Sequence, residues 1–143
     1  MKILSPDFKN REMIPKKFTC QGENINPILK FEDISKDAKS LALIMDDPDA
    51  PNQTFVHWVM FNTPIVDKID EDSSLGIEGI NSAGRIGYIA PCPPSGTHRY
   101  FFKLYALDTF LDLKKGATKQ DLEKAMKSHI LEQAELIGLY MKS

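Results

Sequence analysis

Apolar and polar positions along the chain fall into short blocks rather than long periodic stretches. Ser40–Met45 reads Ser-Leu-Ala-Leu-Ile-Met and is closed by Asp46-Asp47-Pro48, the pattern of a buried strand running into a turn. Thr54–Asn62 is apolar on both alternating faces, rich in aromatic and β-branched residues, and stopped by Thr63-Pro64. That composition predicts a central strand covered on both sides. His98–Leu107 has the same character and the same expectation, and Ile28–Phe31 gives a weaker strand. One helix is predicted. Thr118-Lys-Gln-Asp121 forms a capping box, and Leu122, Ala125, Met126 and His129 then recur at helical spacing. Beyond Ile130 the pattern serves a continued helix or a final strand equally, with Gly138 weakening the helix. Many short strands with one or two helices predict a mainly β protein, a β-sandwich with small peripheral helices.

Composition narrows the setting. The 143 residues suit a single domain spanning 1–143, and no repeat or linker divides them. A formal charge of −2 supplies no surplus of cations to displace phosphate counterions, which argues against nonspecific nucleic-acid binding. No apolar run approaches the roughly 20 residues of a transmembrane helix. The start, Met1 to Asp7, has no apolar core of signal-peptide length, so the expected location is cytoplasmic. Cys20 and Cys92 could form one bridge at most; in a reducing compartment the expectation is two free thiols.

Three segments could carry chemistry. The first is Asp46-Asp47-Pro48-Asp49-Ala50-Pro51, a rigid turn by its Asp and Pro content, or a device that aims a carboxylate into a pocket. The second is His57. Strict alternation places it with Phe55, Val59 and Phe61, and Trp58 with Val56 and Met60. An imidazole there is a satisfied core group or a functional one, and either way its ring nitrogens need partners. The third is Pro91-Cys92-Pro93-Pro94, a stiff loop feeding a strand whose His98, Tyr100 and Phe102 point one way. Singly, each segment is most simply structural. Together they could bring two histidines and an aspartate to one end of a sheet.

Two imidazoles can grip an anion, most strongly when protonated, and a carboxylate beside one would orient it. Tyr100 adds a hydroxyl and the prolines add walls that lose little entropy on binding. Sequence motifs for nucleotide binding, zinc proteolysis or serine hydrolysis are absent. A hydrolase or isomerase using Cys92 with His98, or a metal held by Asp47, His57 and His98, is the alternative.

The three segments, in that order and with Val56-His57-Trp58-Val59 and His98-Arg99-Tyr100 at their centres, resemble the signature of the phosphatidylethanolamine-binding protein family, also called the Raf kinase inhibitor protein family. The short chain and the Pro-Cys-Pro-Pro loop are similar to its bacterial and archaeal branch. Ile14-Pro15, Phe18-Thr19-Cys20, Gly22-Glu23-Asn24 and Asn26-Pro27 resemble that branch's opening, and Ala134–Gly138 its close. The resemblance implies an antiparallel β-sandwich, a last strand after Ile130, and an anion pocket built by Asp47, Ala50, Pro51, His57, Tyr88, Pro93, Pro94, His98 and Tyr100. It implies phosphate or a phosphorylethanolamine head group as ligand, no cofactor, no catalysis, and a kinase or protease as protein partner. Ala90 stands where glycine is usual, which puts the loop's backbone in question. The chain also ends at Ser143, short of the C-terminal helix of eukaryotic relatives, so the expected cavity is more open or is covered in a homodimer.

Overall fold

A computed structural model describes residues 1–143. Nine strands occur in the order β1 (Lys2–Leu4), β2 (Glu12–Met13), β3 (Leu29–Glu32), β4 (Ser40–Asp47), β5 (Phe55–Thr63), β6 (Lys68–Ile69), β7 (Ile77–Glu78), β8 (His98–Leu107) and β9 (Ile130–Tyr140). Helix α1 (Lys119–Met126) precedes β9, and a single 3-10 turn covers Lys16–Phe18. The six-stranded sheet has the order β2-β9-β8-β4-β5-β7, and the three-stranded sheet β1-β3-β6. Every pairing is antiparallel except the short one of β2 with β9. The protein is mainly β, as the spacing of its apolar blocks predicts.

Burial explains why the central strands look apolar on both faces. Ile3, Leu29, Phe31 and Ile69 of the small sheet pack against Leu43, Met45, Trp58, Met60, Phe102 and Leu104 of the large one. On the opposite face Ala42, Ile44, Val59 and Phe61 pack under Leu122 and Met126 of α1. Every residue of β4 is buried. At roughly 25 cal/mol per Å² of apolar surface, this double cover makes β4, β5 and β8 the most strongly held part of the chain.

Helix α1 starts where the capping box predicts. Thr118 Oγ1 accepts from Asp121 N at 3.0 Å, and Asp121 Oδ2 accepts from Thr118 N at 3.0 Å. The helix ends at Met126 rather than reaching His129, because Ser128 takes a left-handed φ of 72° that turns the chain into β9. Gly138 lies within β9 opposite Tyr100. A Cβ there would run into Ile14 and Phe8, so this glycine allows close approach rather than breaking a helix.

One expectation about β5 fails. Met45 pairs with Trp58 and Asp46 with Val56, leaving His57 as an extra, unpaired residue at a β-bulge. The bulge shifts the alternation by one. Val56 therefore sides with Val59 and Phe61 beneath α1, while Trp58 and Met60 enter the space between the sheets. His57 is released from the ladder to face the end of the sandwich.

Candidate functional site

A cavity of about 240 Å³ opens at that end. Asp47, at the end of β4, and Ala50 and Pro51, in the turn that follows, form one wall. Phe55 and His57 come from the start of β5, and His98 and Tyr100 from the start of β8. The stretch from Ile89 to Pro94 supplies the remaining wall through Ile89, Ala90, Cys92, Pro93 and Pro94. Residues far apart in sequence meet because β4, β5 and β8 are neighbours and all reach this edge.

Each histidine is committed through one nitrogen. His57 Nδ1 lies 2.7 Å from the carbonyl oxygen of Ile89, which can only accept, so Nδ1 carries the proton. His98 Nδ1 lies 2.7 Å from Asp47 Oδ2 and donates in the same way. Asp47 is itself fixed, since its Oδ1 accepts from Asp49 N at 2.8 Å. Neither Nε2 has a partner in the chain. Burial pushes the His57 imidazole below its usual range, against the Ile89 bond and the negative charges of Asp47 and Asp46, which pull it up. At neutral pH its Nε2 is therefore a lone pair that accepts.

Tyr100 stands between the two rings. Its centroid is 5.3 Å from His57 in an edge-on arrangement and 6.5 Å from His98, nearly parallel. Its hydroxyl is buried without any partner, and burial raises its pKa, so the proton stays on. A buried hydroxyl in that condition costs about 1–3 kcal/mol. Outside the cavity, Asp49 grips Arg99 in a forked pair, Oδ2 to Nε and Oδ1 to Nη2 at 2.9 Å each. The Asp49 carboxyl is held below its usual range by that pairing. The fork locks the turn after β4 onto β8.

Eight of the nine residues expected at the site line this cavity; Tyr88 does not. Its hydroxyl donates to Phe18 O at 2.8 Å and its ring meets Trp58 edge-on, and it lines a separate cavity with Asn24 and Glu78. What the loop offers the cavity here is the neighbouring carbonyl of Ile89, which no side-chain pattern signals. Phe55 was legible as the face-mate of His57. Ala90 keeps a φ outside the left-handed region and donates its N–H to Asn24 Oδ1 at 2.8 Å, so the loop has no need of glycine there.

The two free thiols are also corrected. Cys20 and Cys92 form a disulfide, their Cα atoms 5.4 Å apart, a separation that suits the bond. In this state Cys92 is not a nucleophile. No three His, Cys, Asp or Glu side chains meet closely enough to hold one metal ion.

The sequence model described as phosphatidylethanolamine-binding protein matches residues 4–141. The chain belongs to that family. Among its relatives in the phosphatidylethanolamine-binding protein family, a UPF0098 protein of Methanothermobacter thermautotrophicus is 48% identical, the match covering 99% of each chain. One from Chlamydia muridarum is 47% identical over 98% of each. Among solved structures, the phosphatidylethanolamine-binding protein homologue of Chlamydia trachomatis superposes with a TM-score of 0.96 at 42% identity, covering 99% of this chain and 97% of that one. Escherichia coli YbcL, described as a member of the mammalian family, gives 0.91 at 25% identity over 99% and 98%. No helix of this family member is long and apolar enough to cross a membrane.

Proposed function

We propose that the cavity binds a small oxyanion, phosphate or the phosphoryl head group of a phosphorylethanolamine, and holds it without transforming it. One observation carries the reading: two buried imidazoles, each spent at Nδ1 and open at Nε2, flank the ring of Tyr100, whose hydroxyl has no partner. Tyr100 supplies a ready donor. His57 supplies a donor only after taking up a proton, because burial keeps its ring neutral and the bond at Nδ1 leaves a lone pair at Nε2. Binding therefore draws a proton onto the His57 ring, or uses a ligand that brings its own P–OH. In both cases affinity falls as pH rises. Asp47 keeps its negative charge, but both of its oxygens are turned to Asp49 N and His98 Nδ1, so its role is to hold the His98 ring rather than to meet the anion.

The same reading makes the protein a cytoplasmic modulator of a kinase or protease, working as a monomer or homodimer, with the ligand cavity as its regulated feature. Family membership supports the head-group part of the reading, since the family and a solved relative are named for phosphatidylethanolamine binding. The rival hydrolase or isomerase, in the form that uses Cys92 rather than a metal, would need that sulfur as a thiolate, and here it is bonded to Cys20.

Calorimetric titration with inorganic phosphate at about pH 6 and about pH 8, in buffers of different ionisation enthalpy, tests the proposal. Net proton uptake and weaker binding at the higher pH are expected, with binding lost in His57→Ala and His98→Ala. Affinity independent of pH and of both histidines would overturn it.

A further inference from the structure

The Cys20–Cys92 bond joins two parts of the chain separated by 72 residues. Cys20 follows the 3-10 turn, and Cys92 sits in the proline loop that walls the cavity. Hydrogen bonds hold this loop only at its beginning. Ile89 N donates to His57 O at 2.9 Å, Ala90 N to Asn24 Oδ1 at 2.8 Å, and Cys20 N to Pro91 O at 3.1 Å. From Cys92 to Thr97 the loop makes no hydrogen bond to the rest of the chain. Prolines at 91, 93 and 94 remove three backbone donors. The disulfide and the burial of Pro93 are what keep the wall in place.

Both cysteines are exposed, so the bond is open to attack from solvent. Exposed disulfides belong to the labile class, whereas structural ones are usually shielded. Cys92 also lines the cavity itself. A redox change there happens at the wall of the site, and the loop continues directly into Ile89, whose carbonyl fixes the His57 ring.

We propose that Cys20–Cys92 is a reversible thiol–disulfide exchange site whose substrate is a dithiol reductant, and that reducing it loosens the cavity wall and weakens oxyanion binding. A thiolate of the dithiol attacks one protein sulfur and breaks the Sγ–Sγ bond, giving a mixed disulfide and one cysteine thiolate. The second thiol of the reductant resolves this, so two electrons pass to the protein, two protons end on Cys20 and Cys92, and the reductant leaves as its own disulfide. The reverse exchange with an oxidised disulfide restores the bond. The binding half of the proposal rests on the oxyanion reading above; the exchange half does not.

The test uses the full-length protein equilibrated in dithiothreitol redox buffers, with the bond followed by thiol alkylation and mass measurement. Phosphate affinity is measured calorimetrically on the oxidised and reduced forms and on Cys20→Ser. Hydrogen exchange at Ile89 and Ala90, the amides through which the loop is hydrogen-bonded, is measured on the same samples. If the wall is closed for about a tenth of the time once released, phosphate binds ~10-fold more weakly to the reduced protein and to the variant. Exchange in the loop should rise in both, with the rest of β4, β5 and β8 unchanged. A bond that the folded protein does not yield to dithiothreitol, or equal phosphate affinity and equal loop exchange in the two forms, overturns the proposal. Should phosphate bind neither form, the oxyanion reading falls, and with it the binding half of this proposal. Loop exchange then decides the remainder: faster exchange on reduction supports it, and unchanged exchange removes it.

Discussion

His57 and Ile89 hold each other twice, ring to carbonyl at 2.7 Å and amide to carbonyl at 2.9 Å. The pair joins the bulged residue of β5 to the proline loop. Through it, the loop sets which nitrogen of His57 carries the proton, and so what the cavity presents to a ligand.

Tyr100→Phe separates stability from binding. The hydroxyl has no partner in the unliganded protein, so its removal is expected to leave stability unchanged or raise it by about 1–2 kcal/mol. Phosphate affinity should fall by ~10-fold, the worth of one good hydrogen bond. Urea unfolding and calorimetry on the same variant measure the two effects.

Asp47→Asn tests the positioning of His98. The amide no longer offers two carboxylate oxygens to His98 Nδ1 and Asp49 N. Loss of this buried partner is expected to destabilise the fold by about 1–3 kcal/mol. The nitrogen NMR shifts of His98 should show the ring released from a single tautomer, and Asp47→Glu should recover it only in part.

Stability should fall with acid through His57. Burial lowers its pKa in the folded state relative to the unfolded chain, where about 6.5 is normal. Below that value the unfolded chain takes a proton that the folded one refuses, so this contribution is intact above it and is lost as pH falls. The slope from this group is up to about 1.4 kcal/mol per pH unit. His57→Gln should flatten the urea-measured stability profile on the acid side, and saturating phosphate should flatten it in the native sequence. A profile unchanged in the variant would count against this account of His57.

Removing the disulfide should cost stability as well as order. For a closed loop of 72 residues the entropy of the unfolded chain changes by about 4 kcal/mol. Cys20→Ser and Cys92→Ser should each lower the denaturation midpoint to a similar extent. The double variant should lie no lower than the singles, because one bond is lost in all three.

The central strands were legible because their burial on both faces is written into composition, and β8 begins and ends where its apolar block does. Asp47, His57 and His98 were legible as a set because prolines and aspartates mark the ends of the strands that carry them. The bulge at His57 was not, since it exists only in the pairing of β5 with β4. Side-chain patterns also could not show that the Ile89 carbonyl, rather than Tyr88, faces the cavity. The thiols were misjudged by inferring redox state from an expected compartment, when the fold places their Cα atoms at bonding distance.

Asp46 and Asp47 are consecutive, yet they serve opposite sides of the sheet. Asp47 holds His98 in the cavity, while Asp46, equally buried, takes Lys103 and Lys119 on the same oxygen at 3.1 and 2.8 Å. Lys119 opens α1, so the helix and the floor of the cavity are bolted through one short piece of β4. Ligand entry cannot be accommodated by bending that floor without pulling apart a buried carboxylate and its two ammonium partners. Adjustment is left to the opposite rim, and ordering on ligand capture should be confined to the few residues after Ile89.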